Sequence, residues 1–128
     1  MSSEDNKPVK DDILTYRFFE DAKICVISLG GNFSYKNKEA CEAILEEIKK
    51  VKSPIIVINF RDVQRVDKNA HRFLVLLQNV IRVDLMAQLR VCELKIIIKG
   101  ELMDIGILKP VEYFSTIKEA LIGEKKVK

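Results

Sequence analysis

Residues 54–78 read PIIVINFRDVQRVDKNAHRFLVLLQ. The run Ile55-Ile56-Val57-Ile58 is wholly β-branched, which predicts a strand buried on both faces. A polar elbow follows, Arg61 to Lys68. From Ala70 the period changes. Ala70, Phe73, Leu74, Leu77, Val80 and Ile81 recur at helical spacing, while His71, Arg72, Gln78, Asn79 and Arg82 fall largely elsewhere. A buried strand feeding such a helix leaves the connecting loop and the first helical turn exposed, with backbone N–H groups free. The functional surface is therefore expected at Val66-Asp67-Lys68-Asn69.

Upstream of this unit, Pro54 stops a helix that begins near Asn37, whose side chain can cap it. Its apolar stripe is Ala40, Cys41, Ile44, Leu45, Ile48 and Val51. Glu42, Glu46, Glu47, Lys49 and Lys50 make a solvated face of interleaved sign. Before it, Ile13 to Glu20 and Lys23 to Leu29 read as strands, joined by Glu20-Asp21-Ala22 as an antiparallel hairpin. Gly30-Gly31 breaks the pattern, and Asn32 to Lys36 forms a loop.

Downstream, Leu85, Met86 and Leu89 can carry the helix past Val83 on one face. Leu94 to Lys99 (LKIIIK) reads as a second buried strand with Cys92 just before it, and Gly100 to Gly106 as a turn or one helical turn. Val111 to Phe114 reads as an edge strand. Thr116-Ile117-Lys118-Glu119 has the spacing of a capping box, Thr116 accepting from the N–H of Glu119 and Glu119 reaching back, ahead of a helix to about Ile122. Residues 1–11 read as a flexible tail, 12–122 as one domain and 123–128 as a charged tail. The order β-β-α-β-α-β-(turn)-β-α predicts an α/β domain, a mixed sheet of four to five strands covered by helices.

Composition narrows the function. The chain of 128 residues carries 22 basic and 19 acidic residues, a net charge of +3 with the signs mixed. No basic stripe with interleaved aromatics suggests nucleic acid. No apolar run approaches the roughly 20 residues of a membrane span. The polar start MSSEDNKPVKDD is not a signal peptide, so the cytoplasm is the expected compartment. Cys25, Cys41 and Cys92, odd in number and without Cys-x-x-Cys spacing, read as reduced core thiols rather than disulfide or zinc ligands.

Several motifs, in order, resemble those of the STAS domain, the fold of bacterial anti-sigma-factor antagonists that also occurs in sulfate transporters. Gly31-Asn32-Phe33-Ser34 stands where that family has Gly-Glu-Leu-Asp, and Asn59-Phe60-Arg61-Asp62-Val63 where it has Asp-Leu-Ser-Gly-Val. Val66-Asp67-Lys68-Asn69-Ala70 takes the place of the Ile-Asp-Ser-Ser-Gly-Leu elbow. Leu102 to Ile107 and Thr116 to Leu121 match its closing motifs. The resemblance spans about Ile13 to Ile122 and implies a protein-binding regulator. The serine that regulated members phosphorylate falls at Lys68, followed by Asn69, so it implies no serine switch here. A second departure is VDLMAQLRVCE, Val83 to Glu93, where the family has a short glycine-containing turn. That segment either covers the sheet or forms a self-association patch, which would give a homodimer.

No catalytic constellation stands out, so no enzyme and no cofactor or metal is expected. His71, the sole histidine, reads as a solvated helix residue. Asp67 and His71 lack a nucleophile, which Ser34 would supply only by an accident of folding. The expected partner-binding residues are Asp67, Lys68, Asn69, His71 and Arg72, with Asn32, Ser34 and Lys36 as a secondary loop. Three roles stay open. One is an antagonist-like regulator that docks on an anti-sigma factor kinase. Another is a stable subunit of a larger assembly, as STAS-type proteins serve beside the ATPase of some lipid transporters. The third is an anion or small-ligand sensor.

Overall fold

The computed structural model describes residues 13–125, so the tail readings for 1–11 and for the last three residues lie outside the described residues. Nine elements follow one another: β1 Thr15–Glu20, β2 Ile24–Phe33, α1 Lys38–Ile48, β3 Ile55–Val66, α2 His71–Asn79, β4 Gln88–Cys92, α3 Ile96–Asp104, β5 Tyr113–Phe114 and α4 Ile117–Ile122. The strands form one sheet in the order β1-β2-β3-β4-β5. β1 is antiparallel to β2, and the other pairs are parallel.

The hairpin closes as its sequence suggests. The Asp21 carboxylate accepts from the N–H groups of Lys23 and Ile24 at 2.8 and 2.9 Å, which fixes the turn. Beyond Leu29, β2 continues through Gly30-Gly31 with an irregular register against β3 and takes in Asn32 and Phe33. The expected loop is thus reduced to Ser34 and a short turn, Tyr35–Asn37. Asn37 does not cap α1; its Nδ2 donates to the carbonyl of Asn32 at 2.8 Å and ties the turn to the strand.

β3 is longer than the apolar run suggested. It spans Ile55–Val66, so most of the expected Arg61–Lys68 elbow is strand. Phe60 and Val63 are buried while Arg61, Asp62, Gln64 and Arg65 are exposed. Apolar residues three apart do not alternate, because β3 itself is bulged here: Asn59 to Arg65 runs opposite the shorter stretch Ser28 to Asn32.

The third helix corrects the second strand reading. Leu94–Lys99 is not a strand; Ile96–Asp104 is α3, and the strand is Gln88–Cys92, which contains Cys92. Its register sets Leu89 and Val91 opposite Ile56 and Ile58. A parallel β4-to-β5 connection needs a crossover, and the β-branched run supplies it as a helix against its intrinsic preference. Gly100 lies inside α3, and the expected turn is confined to Ile105 and Gly106, the latter at φ +80°. Leu85, Met86 and Leu89 do not share a helical face. α2 runs on as one π turn, Val80–Asp84. Met86 then adopts φ +53° and is 85 % exposed, and Leu89 is already in β4.

The sheet separates two apolar clusters. The larger contains Cys41, Ile44 and Ile48 of α1, Leu74 and Leu77 of α2, and Ile98 and Leu102 of α3. On the other face a smaller cluster joins Val57, Cys92 and Phe114 to Ala120 of α4. Both ends of α4 are tied to the β4 segment. Glu93, at φ +62°, accepts from the N–H of Ile117 at 2.9 Å, and Arg90 donates to the carbonyl of Ala120 at 2.8 Å. An acid at the N-terminus and a cation at the C-terminus suit the helix dipole. Thr116 caps α4 by accepting from the N–H of Glu119 at 3.1 Å, while Glu119 reaches back one residue further, to the N–H of Ser115. All three cysteines are buried free thiols.

Candidate functional site

The elbow turns at Asp67. Its backbone is extended, and its carboxylate accepts from the N–H of Asn69 at 3.0 Å, capping the short turn Lys68–Ala70 that leads into α2. The N–H of Asp67 donates to the carbonyl of Phe33 at 2.7 Å, which joins the elbow to the end of β2. Lys68, Asn69 and Arg72 are exposed. His71 is half-buried rather than solvated, and its Nε2 is enclosed with no hydrogen-bond partner among the described residues. Asp67, committed to the cap, is not set up as a partner for imidazole proton transfer.

The residues proposed from the sequence fall on two sides of this elbow. Asn32, Ser34, Lys36 and Asp67 line one cavity of about 770 Å³, which continues along Gln64–Val66 to the first turns of α3. Lys68, Asn69, His71 and Arg72 lie off it and start the outer surface of α2. The Ser34 hydroxyl accepts from the N–H of Lys36 at 3.0 Å. Ser34 therefore shapes its own turn and is not positioned as a nucleophile by any base.

Two features escaped the sequence reading. On α2 and its π turn, Arg72, Val75, Leu76, Asn79 and Val83 are exposed, and Leu76 and Val83 are 46 and 66 % exposed. These positions repeat at helical spacing on the side away from Leu74 and Leu77. The signal was present, since Val75 and Leu76 fall between the core positions. The other is the α3 wall of the cavity, Lys95 to Ile98 with Glu101, which the strand reading of that segment concealed.

The buried thiols are chemically quiet. Burial pushes those of Cys25 and Cys41 up to about 11 and that of Cys92 to about 12, so little thiolate exists near neutrality. Among the described residues no helix is long and apolar enough to cross a membrane.

A five-stranded mixed sheet with one antiparallel edge, three helices sharing one core and a fourth on the opposite face matches solved proteins over most of its length. An anti-sigma factor antagonist from Mycobacterium paratuberculosis superposes with a TM-score of 0.75 at 16% identity, covering 90% of this chain and 96% of that one. This is the STAS fold. A sulfate transporter family protein from Wolinella succinogenes shares it with a TM-score of 0.66 at 17% identity, covering 78% and 83% of the two chains. The Bacillus cell fate determinant SpoIIAA, in its phosphorylated form, does so with a TM-score of 0.64 at 12% identity, covering 85% and 97%. No protein-family model and no curated protein sequence matches the chain. The STAS fold of this chain places Asp67 and Lys68 at the junction of β3 and α2, beside the end of β2.

Proposed function

We propose that this chain is a non-enzymatic protein-binding regulator, working in the cytoplasm, whose docking surface is the elbow and the outer face of α2. The observation that carries the reading is the exposed stripe of that helix. Val75, Leu76 and Val83 form an exposed apolar row, with Asn79 among them and Lys68, Asn69 and Arg72 at its start. Apolar side chains left in water in this grouping contribute nothing to the core, and an apolar centre with a polar rim is the usual anatomy of a docking site. Neighbours of the same fold include anti-sigma factor antagonists, and SpoIIAA is seen in unphosphorylated and phosphorylated forms. Here Lys68 and Asn69 offer no hydroxyl at the elbow, so docking is not ended by phosphate at that point.

The same missing hydroxyl favours a second reading, a constitutive subunit of an assembly such as a transport ATPase. One experiment separates the two. Tagged full-length protein is used to capture partners, which are identified by mass spectrometry, beside Leu76→Asp and an α1 control, Glu42→Lys. Recovery of an anti-sigma kinase that is lost in Leu76→Asp and kept in Glu42→Lys supports the regulator, and recovery of an ATPase supports the subunit. A partner set unchanged by Leu76→Asp overturns the α2 surface. Stoichiometric phosphate on Ser34 with loss of the partner would overturn the absence of a switch.

A further inference from the structure

Where β4 stops, β3 continues. The β3–β4 ladder runs from Ile55 opposite Gln88 to Asn59 opposite Cys92, whereas β3 extends to Val66 on pairing with β2 alone. Over Arg61–Val66 one edge of β3 has no neighbouring strand among the described residues. Bulging shortens this part of β3 to the length of its four partners, Gly30 to Phe33, roughly 13 Å of edge at about 3.3 Å per residue. A side chain covers the start, since Lys95 Nζ donates to the carbonyl of Arg61 at 3.3 Å. Free edges template pairing, and sheets usually blunt them or bury them under another element.

The Gln64–Val66 part of this edge lines the 770 Å³ cavity, and the opposite wall is the first turn of α3. Ile96 and Ile97 line it at 87 and 76 % exposure. The core-facing positions of that helix are Ile98 and Leu102, so the two isoleucines pack against nothing that folding requires. Charge on the walls is biased. Lys36, Arg65 and Lys95 bring three cations, against Glu101 and an Asp67 carboxylate already turned to the N–H of Asn69.

We propose that this groove binds an extended segment of a protein partner that adds as a strand to the free edge of β3. The segment sets apolar side chains on Ile96 and Ile97 and an acidic side chain against Arg65 and Lys95. Main-chain bonds to the edge supply affinity, and the alternating pockets supply selectivity. A second copy of the chain is the poorer occupant, because it would bring one groove of net positive charge against another. A small anion would satisfy the cations and leave both the edge and the isoleucines unused. The inference uses residues distinct from the α2 stripe and stands apart from the role proposed for it.

The test selects a displayed library of random linear peptides on the full chain, with Ile96→Ser/Ile97→Ser in parallel. Sequences alternating apolar and acidic residues are expected on the wild type. A synthetic copy of one should lose about tenfold or more in affinity against the double serine variant and against Arg65→Ser, and should weaken with salt. It should slow amide hydrogen exchange within Asp62–Val66 and be indifferent to Leu76→Asp. Should the double serine variant lose its cooperative melt, Arg65→Glu on the other wall supplies the comparison. The proposal is overturned if no selected peptide discriminates wild type from these variants, or if protection appears on α2 in place of β3. Displacement of the peptide by inorganic phosphate, making this an anion site, overturns it too, as does a dimer in solution that Arg65→Ser dissolves.

Discussion

Alanine at two glycines should move stability in opposite directions. Gly31 lies in the irregular part of β2 at φ +86°, and a Cβ there would stand 1.7 Å from the carbonyl oxygen of Ile13 and 2.8 Å from its carbonyl carbon. Both atoms are backbone, so no side-chain rotation relieves the overlap, and the start of β1 must move off β2. The left-handed conformation alone costs a non-glycine residue about 1–2 kcal/mol. A disturbed ladder bond beside the Thr15–Gly30 pair adds about 1 kcal/mol. Gly31→Ala is therefore expected to lose about 2–3 kcal/mol, or roughly 6–15 °C for a domain of this size. At Gly100, inside α3, a Cβ meets nothing within 4 Å. Alanine there limits the unfolded chain and favours the helix, so Gly100→Ala should gain about 0.5–1 kcal/mol. Urea unfolding followed by circular dichroism, with the m-value unchanged, measures both. A Gly31→Ala protein within about 0.5 kcal/mol of wild type would refute the left-handed backbone and close approach at Gly31, for that is the scatter of ordinary surface changes. A destabilised Gly100→Ala would refute α3, because an alanine at the end of a strand-and-turn segment has no helix to extend.

Lys68→Glu should leave the melting temperature unchanged or slightly raised, since an acid suits a helix start, yet weaken capture of the wild-type partner about tenfold in a salt-dependent way; equal binding at low salt removes the elbow charge from the interface. The Glu20 carboxylate accepts from the N–H of Lys52 at 2.8 Å and from the N–H and hydroxyl of Ser53 at 3.1 and 2.9 Å, bonds that hold it below its ordinary pKa. A folded-state pKa lowered in this way stabilises above the ordinary carboxylate range and is lost as pH falls through the lowered value. The stability difference between wild type and Glu20→Gln should accordingly shrink from about pH 7 to about pH 3 in denaturant titrations, and a constant difference contradicts the assignment. Cys25 and Cys41, raised to about 11 and enclosed, should react with a thiol reagent at mildly alkaline pH only as fast as the whole domain unfolds; rapid labelling of either in the native protein would show the core to be open.

Much of this architecture was readable because it depends on local chemistry. Ile55–Ile58 could be little other than a buried strand, and the Ala70–Ile81 stripe faces the core as its spacing implied. The errors fall where topology outweighs local preference. Ile96, Ile97 and Ile98 are good strand residues, but the chain must cross from β4 to a parallel β5, and only a helix spans that connection on the core side. The polar residues of β3 looked like a loop because they lie on a two-stranded extension wet on several sides. The elbow itself was legible, since Asp67 before a helical period is a capping signal. The groove was not, because it exists only by virtue of where β4 ends, and the end of a strand is set by its partner's register rather than by its own residues.

The two ties that hold α4 to β4 also predict where the domain should open first. Glu93 and Arg90 each contribute one bond, and beneath the helix lie Val57, Cys92 and Phe114. Loosening those two bonds should let the last helix swing away while the larger cluster under α1, α2 and α3 stays closed. Such a partial opening has a lower free energy than global unfolding. The thiol of Cys92 then becomes a clock for one hinge. It should be trapped earlier than Cys25 or Cys41, and Arg90→Ala should quicken its trapping while leaving theirs untouched.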